Sequence, residues 1–135
     1  MNADVFFDTC VLAYAFIAGD SRQKRALELL VEGGVISVQV LNELGNVCRR
    51  KIQMDWNETT GALESVKVCC RAPLPLTLSL HESGIRVARR YGFSIYDGLI
   101  LAAAIEAGCS TLFTEDLQHG QVIEGVRIEN PFLAL

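Results

Sequence analysis

Two aspartates in the sequence follow short apolar runs of the kind that form buried strands. Asp8 comes directly after Val-Phe-Phe at 5–7, and Asp116 comes two residues after Thr-Leu-Phe-Thr at 111–114. Open α/β sheets bind ligands outside the carboxyl ends of their strands, so both carboxylates are candidates for one site. Each also has a simpler explanation, because aspartate is a common helix cap and turn residue. Glu115 competes with Asp116, and the sequence does not decide which of the two points inward.

A third aspartate, Asp97, lies near the start of a segment that is apolar on every face. The segment 95–107 reads IYDGLILAAAIEA, and a helix of this composition is buried. A lone buried carboxylate is costly, so Asp97 needs a compensating partner. The alternative is a capping box with Ser94, which has the required S-x-x-D spacing. That box does not explain why the residue is an acid in so apolar a helix.

The fourth candidate is Glu43, which lies inside a helix predicted over 40–52. It flanks the apolar arc of that helix, so its carboxylate can turn toward a cleft. Pairing with Arg50 and a solvated surface position both remain open as alternatives.

Four carboxylates at one sheet edge would repel one another and raise each other's pKa. Divalent cations relieve such repulsion, and oxygen ligands suit Mg²⁺ or Mn²⁺. The residue types therefore favour a metal site.

These acids can meet only if a parallel sheet covered by helices brings them together. Short apolar runs alternate with longer segments of helical period, a pattern typical of an α/β fold. Strands are predicted over 5–7, 34–38, 74–78, 111–114 and 126–128. Helices are predicted over 11–18, 22–31, 40–52, 57–70, 81–91 and 95–107. Pro73 and Pro75 end the fourth helix, Ser79 with Glu82 predicts a capping box for the fifth, and Gly92 ends it.

Composition narrows the function further. The 135 residues predict one domain over 1–135, and half of them are hydrophobic. A net charge of −4 argues against a nucleic-acid binder with a broad basic surface. The five cysteines include no C-x-x-C pair and indicate reduced thiols in the cytoplasm. We expect neither a signal peptide nor a membrane span, because no basic stretch precedes the first apolar run and no run is long enough.

Three segments resemble the PIN-domain nucleases, and above all the VapC-type toxins of bacterial and archaeal toxin–antitoxin modules. They are FFDTCVL at 6–12, VLNELGNVCRRK at 40–51 and SIYDGLILAAAIEAGCSTLFTEDL at 94–117. The resemblance implies a three-layer α/β/α fold with a central parallel β-sheet. It also implies a metal-dependent ribonuclease that acts on RNA, pairs with an antitoxin protein and forms a homodimer.

Matched by motif, the same resemblance implies an acidic pocket that binds Mg²⁺ or Mn²⁺ and carries the catalysis. Its members would be Asp8, Glu43, Asp97 and Asp116.

Neighbouring residues also match the family's motifs. Thr9 and Thr114 match polar positions that assist the pocket, and Glu115 is a candidate fifth acid. Many relatives carry Asn or Ser where this chain has Cys10.

Such a pocket suits phosphodiester hydrolysis by external water. Bound cations lower the pKa of water and stabilise charge on the phosphoryl and leaving oxygens. No histidine lies in a motif, so attack by the RNA 2′-hydroxyl is disfavoured.

Basic and aromatic residues outside the motifs give weaker signals. Arg50 could contact RNA phosphate or complement the helix dipole. Trp56 and Tyr96 could stack an unpaired base, although we expect both to pack in the interior.

Two other function classes compete with a nuclease. One is a non-catalytic PIN-like module that binds nucleic acid or an antitoxin. The other is a small phosphohydrolase of the haloacid-dehalogenase type, which needs a second aspartate where Cys10 stands.

Overall fold

The computed structural model describes residues 2–135, in which six α-helices flank a four-stranded sheet. The strands are β1 (Val5–Phe7), β2 (Thr111–Phe113), β3 (Val122–Ile123) and β4 (Val126–Glu129). The helices are α1 (Thr9–Ala13), α2 (Gln23–Glu32), α3 (Val38–Arg50), α4 (Trp56–Cys69), α5 (Leu78–Tyr91) and α6 (Ile95–Glu106). A 3₁₀ turn over Tyr14–Phe16 follows α1, so the helix predicted over 11–18 is shorter and begins earlier than expected.

The strand order is β1-β2-β4-β3, with parallel pairs except at the antiparallel edge strand β3. This arrangement confirms the predicted α/β fold with a mostly parallel sheet. Phe7 stands opposite Phe113 in the register of β1 and β2. The next residues, Asp8 and Thr114, therefore emerge side by side at the carboxyl edge of the sheet.

The strands predicted over 34–38 and 74–78 are wrong as continuous elements. Each is reduced to isolated bridges, one between Phe6 and Val35 and one between Ser37 and Leu74. The first segment is cut short because Ser37 caps α3, where its hydroxyl accepts a hydrogen bond from the Val40 amide.

The second segment is short because prolines occupy both sides of Leu74. Neither Pro73 nor Pro75 has an amide hydrogen to donate to a ladder. Within 74–78 only Leu74 forms backbone hydrogen bonds to the neighbouring segment. Its amide donates to the Ile36 carbonyl at 2.9 Å, and its carbonyl accepts from the Val38 amide at 2.9 Å. The sheet thus gains two narrow flanking contacts instead of two strands.

The predicted cap of α5 is also wrong. The helix begins at Leu78, and Thr77 is its cap, with Oγ1 accepting from the Leu80 amide at 3.0 Å. Ser79 lies inside the first turn rather than before it. The predicted end is confirmed, because Gly92 adopts the left-handed conformation that glycine tolerates at helix ends.

The contact of α6 with α5 is unusually close and depends on glycine. A Cβ on Gly98 would lie 2.5 Å from the Gly84 carbonyl oxygen and 2.7 Å from the Ala88 Cβ. Only a hydrogen fits there, so the first turns of α6 are held firmly against α5. No helix within residues 2–135 has both the length and the apolar character needed to cross a membrane.

Candidate functional site

A cleft of about 430 Å³ opens at the carboxyl ends of β1 and β2. All four acids singled out in the sequence line it: Asp8, Glu43, Asp97 and Asp116. A larger recess of about 580 Å³ runs along α2, but its walls come from that helix alone. The acid-lined cleft is the candidate site, because four elements converge there and carry the groups capable of chemistry.

Asp8 is held at the floor of this cleft by bonds to both carboxylate oxygens. Its Oδ1 accepts from the Thr9 amide at 2.7 Å, and its Oδ2 accepts from the Thr114 hydroxyl at 2.8 Å. Asp8 also caps α1, so the capping explanation and the site explanation both hold for the same residue. With only 5% of its surface exposed, this carboxylate is fixed in place.

Asp116 and Glu115 both line the cleft, but their side chains have different partners. The Asp116 amide donates to Thr114 Oγ1 at 3.1 Å, and its carboxylate comes within 4.8 Å of donor atoms of Asp8 and Cys10. The carboxylate of Glu115 accepts from the Tyr14 hydroxyl and pairs with Arg22 Nη1 at 3.3 Å. Asp116 is therefore the acid that lies close to Asp8, while Glu115 lines the same cleft and connects the loop after β2 to Tyr14 and Arg22.

Cys10 and Thr9 bring a thiol and a free hydroxyl to the cleft. Cys10 Sγ lies 3.8 Å from Thr114 Oγ1 and accepts from the Glu115 amide at 3.5 Å. Thr9 is buried, and its hydroxyl has no hydrogen-bond partner in the described chain. This oxygen is closed off from solvent, so it is a buried polar atom beside the cleft without a partner in that part of the chain.

Asp97 reaches the cleft from the third position of α6. Ser94 caps this helix and accepts from the Asp97 amide at 3.1 Å, so the predicted S-x-x-D cap is present. The first turn is less buried than the sequence predicted, since Tyr96 is 70% exposed. The cap orients the backbone of Asp97, and the carboxylate lines the cleft.

Glu43 is linked to α6 by a buried amide. Gln39 Nε2 donates to Glu43 Oε2 and to the Tyr96 carbonyl, each at 3.3 Å. In residues 2–135 Glu43 forms no ion pair with Arg50, so that alternative is wrong. Sequence reasoning missed the role of Gln39, although its spacing of one helical turn from Glu43 could have suggested it.

The electrostatics of the cleft disfavour negative charge. Burial raises the pKa of Asp8 to about 6, despite the hydrogen bonds from Thr114 and Thr9 that lower it. Burial also raises the pKa of Glu43 and Asp97, and neighbouring carboxylates raise both further. The thiol of Cys10 is raised to a pKa of about 12, mainly by burial. An acidic cluster with these shifts is typical of a functional site.

Several lining residues were not among the predicted site residues. Tyr14, Asn46 and Lys51 also line the cleft. Asn46 lies one turn after Glu43 on α3, a spacing that places both on one face.

The remaining sequence candidates lie outside the cleft. Arg50 lines a neighbouring groove with Trp56. Trp56 is 67% exposed, so the expectation that it packs in the interior is wrong, as it is for Tyr96.

Three solved structures share this fold over almost their whole length. VapC20 of Mycobacterium tuberculosis, a toxin that cleaves the sarcin–ricin loop, is 22% identical, with a TM-score of 0.69 over 91% of this chain and 98% of its own. A toxin–antitoxin complex from Klebsiella pneumoniae is 23% identical, with a TM-score of 0.71 over 95% and 98%. VapBC2 of Rickettsia felis, bound to a promoter DNA fragment, is 20% identical, with a TM-score of 0.66 over 93% and 96%.

A comparison with curated protein sequences finds no match. The sequence profile of the PIN domain family, in contrast, matches residues 5–124, which include every acid of the cleft. The shared fold agrees with that match, and the chain belongs to the PIN domain family.

Proposed function

We propose that this protein is a metal-dependent endoribonuclease and the toxin of a toxin–antitoxin pair. The observation that carries the proposal is the cleft itself, in which all four acids of the PIN motifs line one opening. Two of the similar structures support it, because one is of a toxin that cleaves the sarcin–ricin loop and the other is a toxin–antitoxin complex.

The donor set of the cleft fits a hard divalent cation. Asp8 and Asp116 bring carboxylate oxygens within 4.8 Å of each other, and Glu43 and Asp97 line the same opening. Oxygen donors of this kind suit Mg²⁺ or Mn²⁺. Cys10 belongs to the close group, but hard cations prefer oxygen to sulfur donors, which leaves the carboxylates as the expected ligands.

We assign separate tasks to the residues of the cleft. Asp8, with both oxygens oriented by hydrogen bonds, and Asp116 would hold the cation. When bound, the cation would lower the pKa of the attacking water and stabilise negative charge on the phosphate. Glu43 or Asp97, each half-buried with a raised pKa, can accept the proton that this water loses. Lys51 offers a positive charge to the RNA phosphate.

The products expected from this arrangement are a 5′-phosphate and a 3′-hydroxyl. No histidine lines the cleft within the described chain, so attack by the RNA 2′-hydroxyl lacks its usual proton donor and acceptor.

We also propose a homodimer and an antitoxin partner. Large apolar side chains are exposed on the neighbouring helices α2 and α4, among them Leu27, Val31 and Val68. Exposed apolar patches commonly mark interaction surfaces. Light scattering of the purified protein would report a dimer at micromolar concentration, whereas a monomer there would contradict the dimer proposal.

RNA cleavage with defined metal ions tests the catalytic proposal. Purified protein should cut RNA in Mg²⁺ or Mn²⁺, act poorly in Ca²⁺, whose looser shell misplaces the water, and stop in EDTA. End-group analysis should find 5′-phosphates. Fragments that end in 2′,3′-cyclic phosphate and form equally well in EDTA would show that the acidic cleft is not the catalyst.

A further inference from the structure

A second groove, of about 520 Å³, runs along the outer side of α3 and the start of α4. It adjoins the acidic cleft, because Asn46 lines both. Arg49, Arg50 and Trp56 line the groove, while Lys51 lines the cleft beside it. An RNA chain bound at the acidic cleft can therefore continue past Asn46 into this groove.

Trp56 and Arg49 form a cation–π pair in the groove, the Trp56–Arg49 platform. The Arg49 guanidinium lies 4.4 Å from the centre of the Trp56 ring. Arg49 is held there because its Nη1 donates to the Met54 carbonyl at 2.7 Å. Trp56 is the first residue of α4, which is anchored by a reciprocal capping box between Asp55 and Glu58. The platform thus exists before any ligand arrives, which reduces the entropy lost on binding.

The exposure of Trp56 has no packing explanation. Two-thirds of its surface is open to solvent, although an indole gains much from burial. Both indole faces and guanidinium planes stack well on unpaired nucleobases.

The region also concentrates positive charge. Arg49, Arg50 and Lys51 are consecutive cations in a chain of net charge −4. Within residues 2–135 none of the three forms an ion pair with an acid. Arg86, in contrast, pairs with Glu124 at 3.0 Å. Cations without acidic partners beside an aromatic platform are suited to a phosphate backbone with exposed bases.

We propose that this groove binds an unpaired segment of the RNA next to the bond that is cut, with a base stacked on the Trp56–Arg49 platform and phosphates contacted by Arg50 and Lys51. The inference rests on the proposed ribonuclease function for the identity of its ligand. It adds the residues that hold the RNA on this side of the cleavage site, where the bases must be unpaired because paired bases cannot stack on a side chain.

Trp56 is the only tryptophan of the chain, so its fluorescence reports on the groove directly. The probe is a labelled single-stranded RNA of about eight nucleotides, within the usual site sizes for such grooves. Measurements in EDTA separate binding from cleavage, so a failure here is distinct from a failure of the metal-dependent reaction. We expect the RNA to quench Trp56 emission, and a duplex of the same sequence to leave it unchanged.

Substitutions then assign the contacts by fluorescence anisotropy of the labelled RNA. Trp56→Ala should weaken binding on the order of tenfold through the loss of one stacked base, and Trp56→Phe should restore most of it. Arg50→Gln should weaken binding and reduce the slope of log K against log salt by about 0.7. Arg89→Gln is the matched control, because Arg89 is an exposed arginine in the last turn of α5, as Arg50 is in α3.

Three results of the RNA-binding measurements would overturn the inference. They are unchanged Trp56 emission on RNA addition, wild-type RNA affinity in both Trp56→Ala and Arg50→Gln, and an equal loss of affinity in Arg89→Gln. A shift of Trp56 emission to shorter wavelength as the protein is concentrated without RNA would also overturn it, since a second copy of the chain would then cover the groove.

Discussion

The two sides of the acidic cleft are built in different ways. The strand side consists of Asp8, Thr114 and Asp116, which follow β1 and β2 and are joined by hydrogen bonds of 2.8 and 3.1 Å. The helix side consists of Glu43 and Asp97, which belong to α3 and α6. The strand side is positioned by backbone register, whereas the helix side depends on how two helices pack.

This difference indicates where the site is tolerant and where it is fragile. The register of β1 and β2 cannot slip by one residue without turning buried side chains outward. The helix side rests on the close approach at Gly98 and on the amide of Gln39. We therefore expect changes far from the acids to disturb the helix side more easily than the strand side.

The largest expected effect comes from removing one carboxylate on each side. Asp8→Asn and Asp97→Asn should each lower RNA cleavage by at least about a hundredfold, because loss of an outer-shell partner alone costs 10- to 100-fold. Rates measured in Mn²⁺ check this, with Asp4→Asn as the control for the same change at an exposed position outside the cleft. Near-wild-type activity in Asp97→Asn would confine the chemistry to the strand side.

Gly98→Ala tests the packing of the helix side. A methyl group there meets the Gly84 carbonyl oxygen at 2.5 Å, so α6 must shift away from α5. We expect a loss of about 1–3 kcal/mol in the free energy of unfolding, together with reduced cleavage activity. Urea denaturation gives the first quantity.

Gly61→Ala provides the matched control. Gly61 is also helical, but nothing lies within 4 Å of its Cβ position, so alanine there should be neutral or slightly stabilising. If both variants unfold at the same urea concentration, the close contact is not what positions α6.

Gln39→Leu tests the connection between the two helices of the same side. Leucine keeps most of the buried volume but removes the bonds to Glu43 and to the Tyr96 carbonyl. We expect Mn²⁺ affinity to fall about tenfold, as for other groups that orient a ligand. Calorimetric titration measures it, and Glu43→Gln serves as the second background. If Gln39→Leu lowers Mn²⁺ affinity as much in the Glu43→Gln protein as in the wild type, Gln39 does not act through Glu43.

The smallest expected effect is the dependence of stability on pH without metal. The pKa of Asp8 is about 6 in the folded chain and near 3.8 when unfolded, so the folded chain holds this proton more tightly. Stability should therefore increase as pH falls through 6 toward 4, by about 1 kcal/mol between pH 7 and pH 5.

Thermal melts in EDTA at the two pH values, compared with Asp8→Asn, isolate this contribution. The variant should lose that part of the pH dependence and melt higher than wild type at pH 7. Asp97→Asn should also melt higher in EDTA, because burial disfavours its charge as well. Lower melting temperatures for both variants would argue against repulsion within the empty cleft.

The sequence by itself determined the alternation of strands and helices and the positions of the four acids. These features follow from local patterns, such as the apolar runs before Asp8 and Asp116 and the S-x-x-D cap at Asp97. Residues close together in the sequence set the hydrophobic periodicity of a helix or strand and the caps of a helix. A single sequence is therefore enough to predict these features. The same patterns failed at 74–78, where two prolines removed the donors that a strand needs.

Only the tertiary structure decided which of two adjacent acids lies close to Asp8 and which aromatic rings stay in solvent. Asp116 joins the close group with Asp8 and Cys10, whereas the carboxylate of Glu115 is bound by Tyr14 and Arg22, about 100 positions earlier in the chain. Trp56 remains exposed because the groove between α3 and α4 leaves it uncovered, and no local pattern encodes that space. Such outcomes depend on contacts between distant segments, whose geometry is set by packing rather than by the order of residues.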